Sequence, residues 1–326
     1  MKRNKMGIPK LNKWLLDHCS PQSIQKQHLE LFINKRIAVD ISIYLYRFLI
    51  DGRFMEQLYL FLAILKYYCI RPVFIFDGKP PIEKNATIQK RKLEKREARD
   101  LYAILEQQLL AATTESEKNS IKLKMQMARK KMVKITWEHI DNAIELMTAF
   151  GYEYYLAPHE ADQLCVHLSQ KGDVWAVLSD DMDLLISGCS RVLRAFNMNS
   201  HEVILYDTAA ILSDIKMTPD HFREMVVLSG TDYDVSHTKP MITIKRAFEL
   251  YSQYIADSKP EMFHEWLDTQ GIITSSEFVR LCGLFDISNS KDELNVFLDR
   301  NKKICKVSIS TIKTIMRRYK FIFLDN

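Results

Sequence analysis

Residues 56–78 read EQLYLFLAILKYYCIRPVFIFDG, and the change of pattern inside this stretch decides the fold. Residues 56–70 have the length and apolar spacing of a helix, whereas RPVFIF (71–76) is a short apolar run that stops on Asp77-Gly78, as a buried strand does. Upstream, KRIAVDI (35–41) is a second β-branched run, so the local order is β-α-β. Downstream the alternation resumes: a helix over 136–150, a strand at YEYYL (152–156), a helix from His159 and a strand at VWAVLS (174–179). Strands separated by helices predict an α/β fold with a doubly wound, mainly parallel sheet. RVLRAF (191–196) and EVILYD (202–207) extend that sheet at its edge, and helical segments follow to the C-terminus.

The 326 residues, 47% apolar and 27% charged, suffice for one main core with a helical appendage. No apolar run of membrane-spanning length is present, and the basic start MKRNKMGIPKLNK lacks the apolar stretch of a secretory signal, so neither a membrane nor export is expected. The six cysteines are dispersed, without CxxC pairs or histidines at zinc-finger spacing, which predicts buried free thiols in a reducing compartment. Net charge is only +5, but residues 83–134 hold 14 Lys and Arg against 7 Asp and Glu, a local +7 that leaves −2 for the rest. A solvated helical face accounts for such a run as readily as a polyanion partner does; its place in the chain decides between them.

In an open α/β sheet, side chains just beyond the carboxyl ends of the strands share one crevice. Asp40, Asp77, Asp181 and Asp183 stand at such positions, Glu160 and Asp162 open a helix after another strand, and Asp232 follows an apolar helical run. Singly, each is as readily a cap or loop residue. Together, seven converging carboxylates would repel one another unless cations compensated. Magnesium suits such a site, because it takes oxygen ligands and keeps several waters, and two such ions about 4 Å apart can activate a water and stabilise a leaving oxygen of a phosphodiester. Manganese would substitute.

These residues lie in blocks that resemble the flap endonuclease branch of the XPG nuclease family: MGIPKL (6–11), IAVDISIYLYRFL (37–49), RPVFIFDGKPP (71–81), APHEADQLC (157–165), LSDDMDLLISG (178–188) and VLSGTDYD (227–234). The resemblance implies a PIN-like nuclease core with a helical arch inserted between Asp77 and Glu160, and a helical C-terminal region with a divergent helix-turn-helix. It divides the chain into 6–105 (including the first part of the arch), the basic arch at 84–134, an internal nuclease region at 135–235 and a C-terminal region at 236–326. It assigns Asp40, Asp77, Glu160 and Asp162 to one half of a two-metal site and Asp181, Asp183 and Asp232 to the other. It also implies that Lys84 and Arg91 contact the scissile phosphate, that a terminal base stacks on Tyr46, and that Arg53 lies near the DNA junction.

The expected activity is that of a magnesium-dependent structure-specific 5′ nuclease, endonuclease or 5′-to-3′ exonuclease, acting as a monomer on branched or flapped DNA in replication, repair or recombination. The expected location is the nucleus, or a host-cell replication site for a viral protein. Three departures stand out. Asp162 replaces the second acid of the family's Glu-x-Glu pair. The family's glycine-containing duplex-binding turn is replaced within TDYDVSHTKPMITIKRAFEL (231–250), so grip on the duplex falls to side chains such as Lys239, Lys245 and Arg246. The C-terminus lacks the sliding-clamp motif of cellular relatives. A catalytically silent scaffold of the same fold and a PIN-like ribonuclease are the alternative readings.

Overall fold

A computed structural model of the chain describes residues 8, 10–80, 84–231, 242–257, 262–301 and 306–323. Seven strands, β1 (Ile24–His28), β2 (Arg36–Asp40), β3 (Arg71–Phe76), β4 (Glu153–Leu156), β5 (Ala176–Leu178), β6 (Arg191–Asn197) and β7 (Glu202–Asp207), form one sheet in the order β1-β7-β6-β5-β2-β3-β4. From β6 to β4 every neighbouring pair is parallel; β7 and β1 add antiparallel strands at one edge. The two late strands therefore extend the sheet as expected, but β6 is an interior strand beside β5. β1 is the outermost strand, which its polar sequence, IQKQH, does not announce. Pro72 is tolerated inside the sheet because β4 pairs with β3 only from Val73 onward, so its missing N–H costs no bond on that side.

Fifteen helices among the described residues surround the sheet: α1 (Leu11–His18), α2 (Ser42–Ile50), α3 (Phe54–Tyr67), α4 (Asn85–Ala111), α5 (Glu115–Met132), α6 (Trp137–Ala149), α7 (Ala161–Gln170), α8 (Asp183–Ile186), α9 (Thr208–Ile215), α10 (Pro219–Leu228), α11 (Ile244–Ala256), α12 (Phe263–Thr269), α13 (Ser275–Gly283), α14 (Lys291–Asn301) and α15 (Ile309–Arg318). Because side chains of a strand alternate between faces, the sheet feeds two separate cores. Ala38, Val73, Ile75, Val177 and Val192 face a core shared with α1, α7 and the helices from α9 to α14. Ile37, Val39, Phe74, Phe76, Leu178 and Leu193 face the other, built with α2, α3, α6 and α15.

The insertion between β3 and α6 is a helical hairpin. α4, at 27 residues, is roughly 40 Å long at 1.5 Å per residue. A Thr114–Glu117 capping box starts α5, and the two helices close on Ala98, Leu105 and Ala128, their buried residues. Small residues at that seam let two highly charged helices approach. The Lys and Arg side chains remain outside: of the 14, only Lys84, Lys95 and Lys118 are partly covered.

Candidate active site

Strand order locates the site. The chain passes from β2 to β3 on one side and later returns to β5 on the other, so the sheet switches direction between β2 and β5, the point beyond whose carboxyl ends open α/β sheets bind their ligands. Asp40 is the last residue of β2, Ser179 follows β5 directly and Asp181 comes two residues later. Asp40 is 5% exposed, and its Oδ2 accepts a hydrogen bond from the buried Ser179 hydroxyl at 2.9 Å. The same oxygen of Ser179 accepts from the Asp181 amide at 3.2 Å, and Asp181 Oδ1 accepts from the Asp183 amide at 3.0 Å. One serine thus ties the two strand ends together.

The third strand end is closed by glycine. Gly78 donates its N–H to the His159 carbonyl at 2.6 Å, and a Cβ at this position would stand 1.9 Å from the Ala157 carbonyl oxygen, closer than any side chain permits. This approach brings Asp77 beside the start of α7, where its Oδ1 accepts from the Ala161 amide at 3.0 Å, an orphan donor of the helix N-terminus. Glu160 immediately precedes α7 and Asp162 lies in its first turn. Glu160 receives Lys84, at the foot of α4, with Nζ to Oε1 at 2.7 Å and both side chains mostly covered.

The acids feel one another. Burial first, then the charges of Asp77 and Asp181, push the Asp40 carboxyl up to about 8 against the opposing hydrogen bond from Ser179. Asp162 is likewise raised, by burial and then by Asp181, Asp40 and Asp77, with Lys84 the opposing cation. The structure therefore brings Asp40, Asp77, Asp162 and Asp181 into one electrostatic cluster, with Glu160 and Lys84 at its margin. Asp183 is buried and attached through Asp181. Asp232 and Lys239, with the altered turn, lie outside the described residues.

The donor set fits hard divalent cations: carboxylate oxygens throughout, Asp40 and Asp183 buried, Glu160, Asp162 and Asp181 half-buried and Asp77 open to solvent, with the Lys84 cation among them. Among the described residues no three acids converge closely enough on one point to hold an ion alone.

This crowding has a consequence for stability. The Asp40 carboxyl has an ordinary value of 3.8 and about 8 in the fold, so over that interval its folded form holds the extra proton and its contribution to stability falls as pH rises. In chelator, the difference in thermal midpoint between the unaltered protein and Asp40→Asn should fall as pH rises through this window, while carboxyls held low elsewhere, such as Asp214 and Asp286, act in both proteins alike, and divalent cations should raise the midpoint more at its upper end. Calorimetry checks this; a metal-free difference that climbs through the window would contradict the crowding.

The remaining expected residues ring this cluster. Tyr46, on α2, is 36% exposed, and Lys95 of α4 stands over its ring at 5.5 Å, so the hairpin leans across α2. Arg91 is exposed on α4, seven residues beyond Lys84 and on the same helical face. Arg53 caps α3 and pairs with Glu56 at 3.2 Å. Lys245 and Arg246 are exposed in the first turn of α11, whose Thr243 cap accepts from the Arg246 amide. Sequence reasoning gave no role to Ser179, which has no charge to attract attention and follows β5 as an ordinary small polar residue.

Residues 6–98 match the XPG N-terminal domain and residues 151–232 the XPG I-region. Flap endonuclease 1 of Anoplopoma fimbria is 30% identical over 318 residues, covering 88% of this chain and 80% of its own length. The catalytic core of Rad2 in complex with DNA substrate superimposes with a TM-score of 0.57 at 22% identity, covering 95% of this chain and 86% of that one. The flap endonuclease-1 from Methanococcus jannaschii gives a TM-score of 0.54 at 22% identity, covering 92% and 96%.

Proposed function

The chain belongs to the XPG family of structure-specific nucleases, among which it is flap endonuclease-like, and from that premise we propose that it cuts the 5′ strand of flapped or branched DNA with two magnesium ions held by its carboxylate cluster. The observation that carries this reading is the gathering of acids at the switch point of the sheet, with Asp40 and Asp181 joined through Ser179, Asp77 held at the start of α7 beside Asp162, and Lys84, at the foot of a basic hairpin, paired with Glu160. Asp40, Asp77, Glu160 and Asp162 would form one half of the metal site, and Asp181, Asp183 and Asp232 the other. Two bound ions would supply an activated water and charge neutralisation at the leaving oxygen.

The chain's own groups do the rest. The exposed lysines and arginines of α4 and α5 draw in the phosphate backbone without reading sequence, which makes recognition one of shape and strongly salt-dependent. Lys84, held by Glu160 at the margin of the cluster, and Arg91 above it meet the charge on the scissile phosphate. Once Lys95 swings aside, the ring of Tyr46 offers the terminal base a stacking surface. Arg53, Lys245 and Arg246 steady the duplex arms. The setting is DNA replication, repair or recombination, in the nucleus or at a host-cell replication site.

The test is a 5′-labelled double-flap DNA incubated with the protein and magnesium. The expected result is one short labelled product whose length places the cut at the junction, while a matched RNA flap is cut poorly. Preference for the RNA flap, or binding of the junction without any cut, would overturn the proposal.

A further inference from the structure

We infer that Asp180, the acid of the DDMD run (180–183) that no metal half claims, is a positioning residue, and that Arg47 and Arg194 hold through it the loop that presents Asp181 and Asp183. The inference rests on reading those two as metal ligands. Among the described residues, the Asp180 carboxylate is partnered by Arg47 and by the backbone of β6, neither of them an acid of the cluster. One carboxylate oxygen is ion-paired with the Arg47 guanidinium, and the other accepts from the Ala195 amide at 2.7 Å. Its main-chain carbonyl accepts from Nε and a terminal nitrogen of Arg194 at 3.1 and 2.9 Å.

Each arginine is itself seated. Arg47 lies 5.5 Å over the ring of Tyr44, which is buried and stacked on Phe61. Arg194 lies 5.3 Å over Tyr206 and donates to Asn12 Oδ1 at 3.1 Å. The Ala195 amide reaches Asp180 because β6 is irregular there: its pairing with β7 shifts between Arg194 and Asn197, and Ala195 takes φ 52°, a left-handed conformation that L residues keep only where their surroundings impose it. Backbone strain spent on one hydrogen bond to Asp180 points to a constraint on this loop.

The physical need is preorganisation. Asp181 follows Asp180 directly and is tied through Ser179 to Asp40, so cations that draw these acids together find them in place only if the loop is held against outward movement. Bonds to both the side chain and the carbonyl of Asp180 oppose that movement and keep the acids preorganised for cations. Arg47 belongs to α2, the helix that leaves the strand bearing Asp40, so the brace ties the loop back to the other side of the crevice.

The experiment compares Arg47→Met, Asp180→Asn, their double variant and Arg47→Lys. It measures binding of manganese to the DNA-free protein by electron paramagnetic resonance, single-turnover cleavage against magnesium concentration, and junction affinity in calcium. Manganese affinity should weaken and the magnesium half-saturation rise by about 10–100-fold in each single variant, the range for groups that orient a ligand. The double variant should be no worse than either single, and Arg47→Lys should recover part of the loss. Junction affinity in calcium should hold. Asp180→Glu keeps the charge while lengthening the side chain, and its partial loss would separate positioning from folding, with the thermal midpoint measured alongside. Unchanged manganese affinity in both single variants would overturn the brace, as would a loss of junction affinity in Arg47→Met equal to its loss in rate. If Asp181→Asn weakens manganese binding while the brace variants do not, only this inference fails; if Asp181→Asn leaves it untouched, the ligand assignment fails too.

Discussion

Asp181→Asn is expected to abolish cleavage while leaving junction binding intact or tighter. The carboxylate lies where the fields on Asp40 and Asp162 meet, so its loss removes a cation ligand and at the same time relieves repulsion of the DNA phosphates. Removing a ligand should cost more than the roughly 10–100-fold that follows from disturbing the groups that orient one. Gel analysis of single-turnover cleavage at saturating magnesium reads the rate, and a parallel titration in calcium reads the binding. Calcium should support binding without efficient cutting, since its longer and more variable coordination misplaces the reacting oxygens. Turnover near that of the unaltered protein at high magnesium would contradict the site.

Replacing Lys84 and Arg91 together with alanine should lower the single-turnover rate by about 10²–10³-fold, the cost of losing a preorganised charge that meets the transition state. Junction affinity should fall far less, because the hairpin segment carries 14 basic residues that share the electrostatic attraction. Lys84 has a second effect: its removal breaks the Glu160 ion pair and takes away a positive charge that opposes the rise of Asp162, so more magnesium should be needed for half-maximal rate. A rate that falls only as far as affinity would reduce the two residues to general attraction. Blocking the 5′ end with a bulky protein before enzyme is added should stop cutting if the strand passes beneath α4 and α5.

The strand-end acids were legible in the chain because a parallel sheet leaves little freedom there. RPVFIF ends on Asp77 and IAVD on Asp40 in the structure as in the sequence, and helices between strands oblige those ends to face one crevice. β1 was not legible, since IQKQH is an edge strand whose polar side chains remain half-exposed and which shows no alternation. Nor was the destination of the C-terminal segment: Phe321 and Phe323 return to pack on Tyr59 at 4.9 and 5.8 Å, a contact between residues that share no periodic signal.

By itself the sequence determined the alternation of strands and helices, the acids at the strand ends and the basic segment between Asp77 and Glu160, because period, composition and order are local properties. The tertiary structure alone decided that Ser179 links β2 to β5, that Lys84 pairs with Glu160, and that Arg47 and Arg194 converge on Asp180. These contacts join residues 76 to 139 positions apart, or cross a bulge, and what holds them is the packing of the sheet against its helices, which no spacing along the chain encodes.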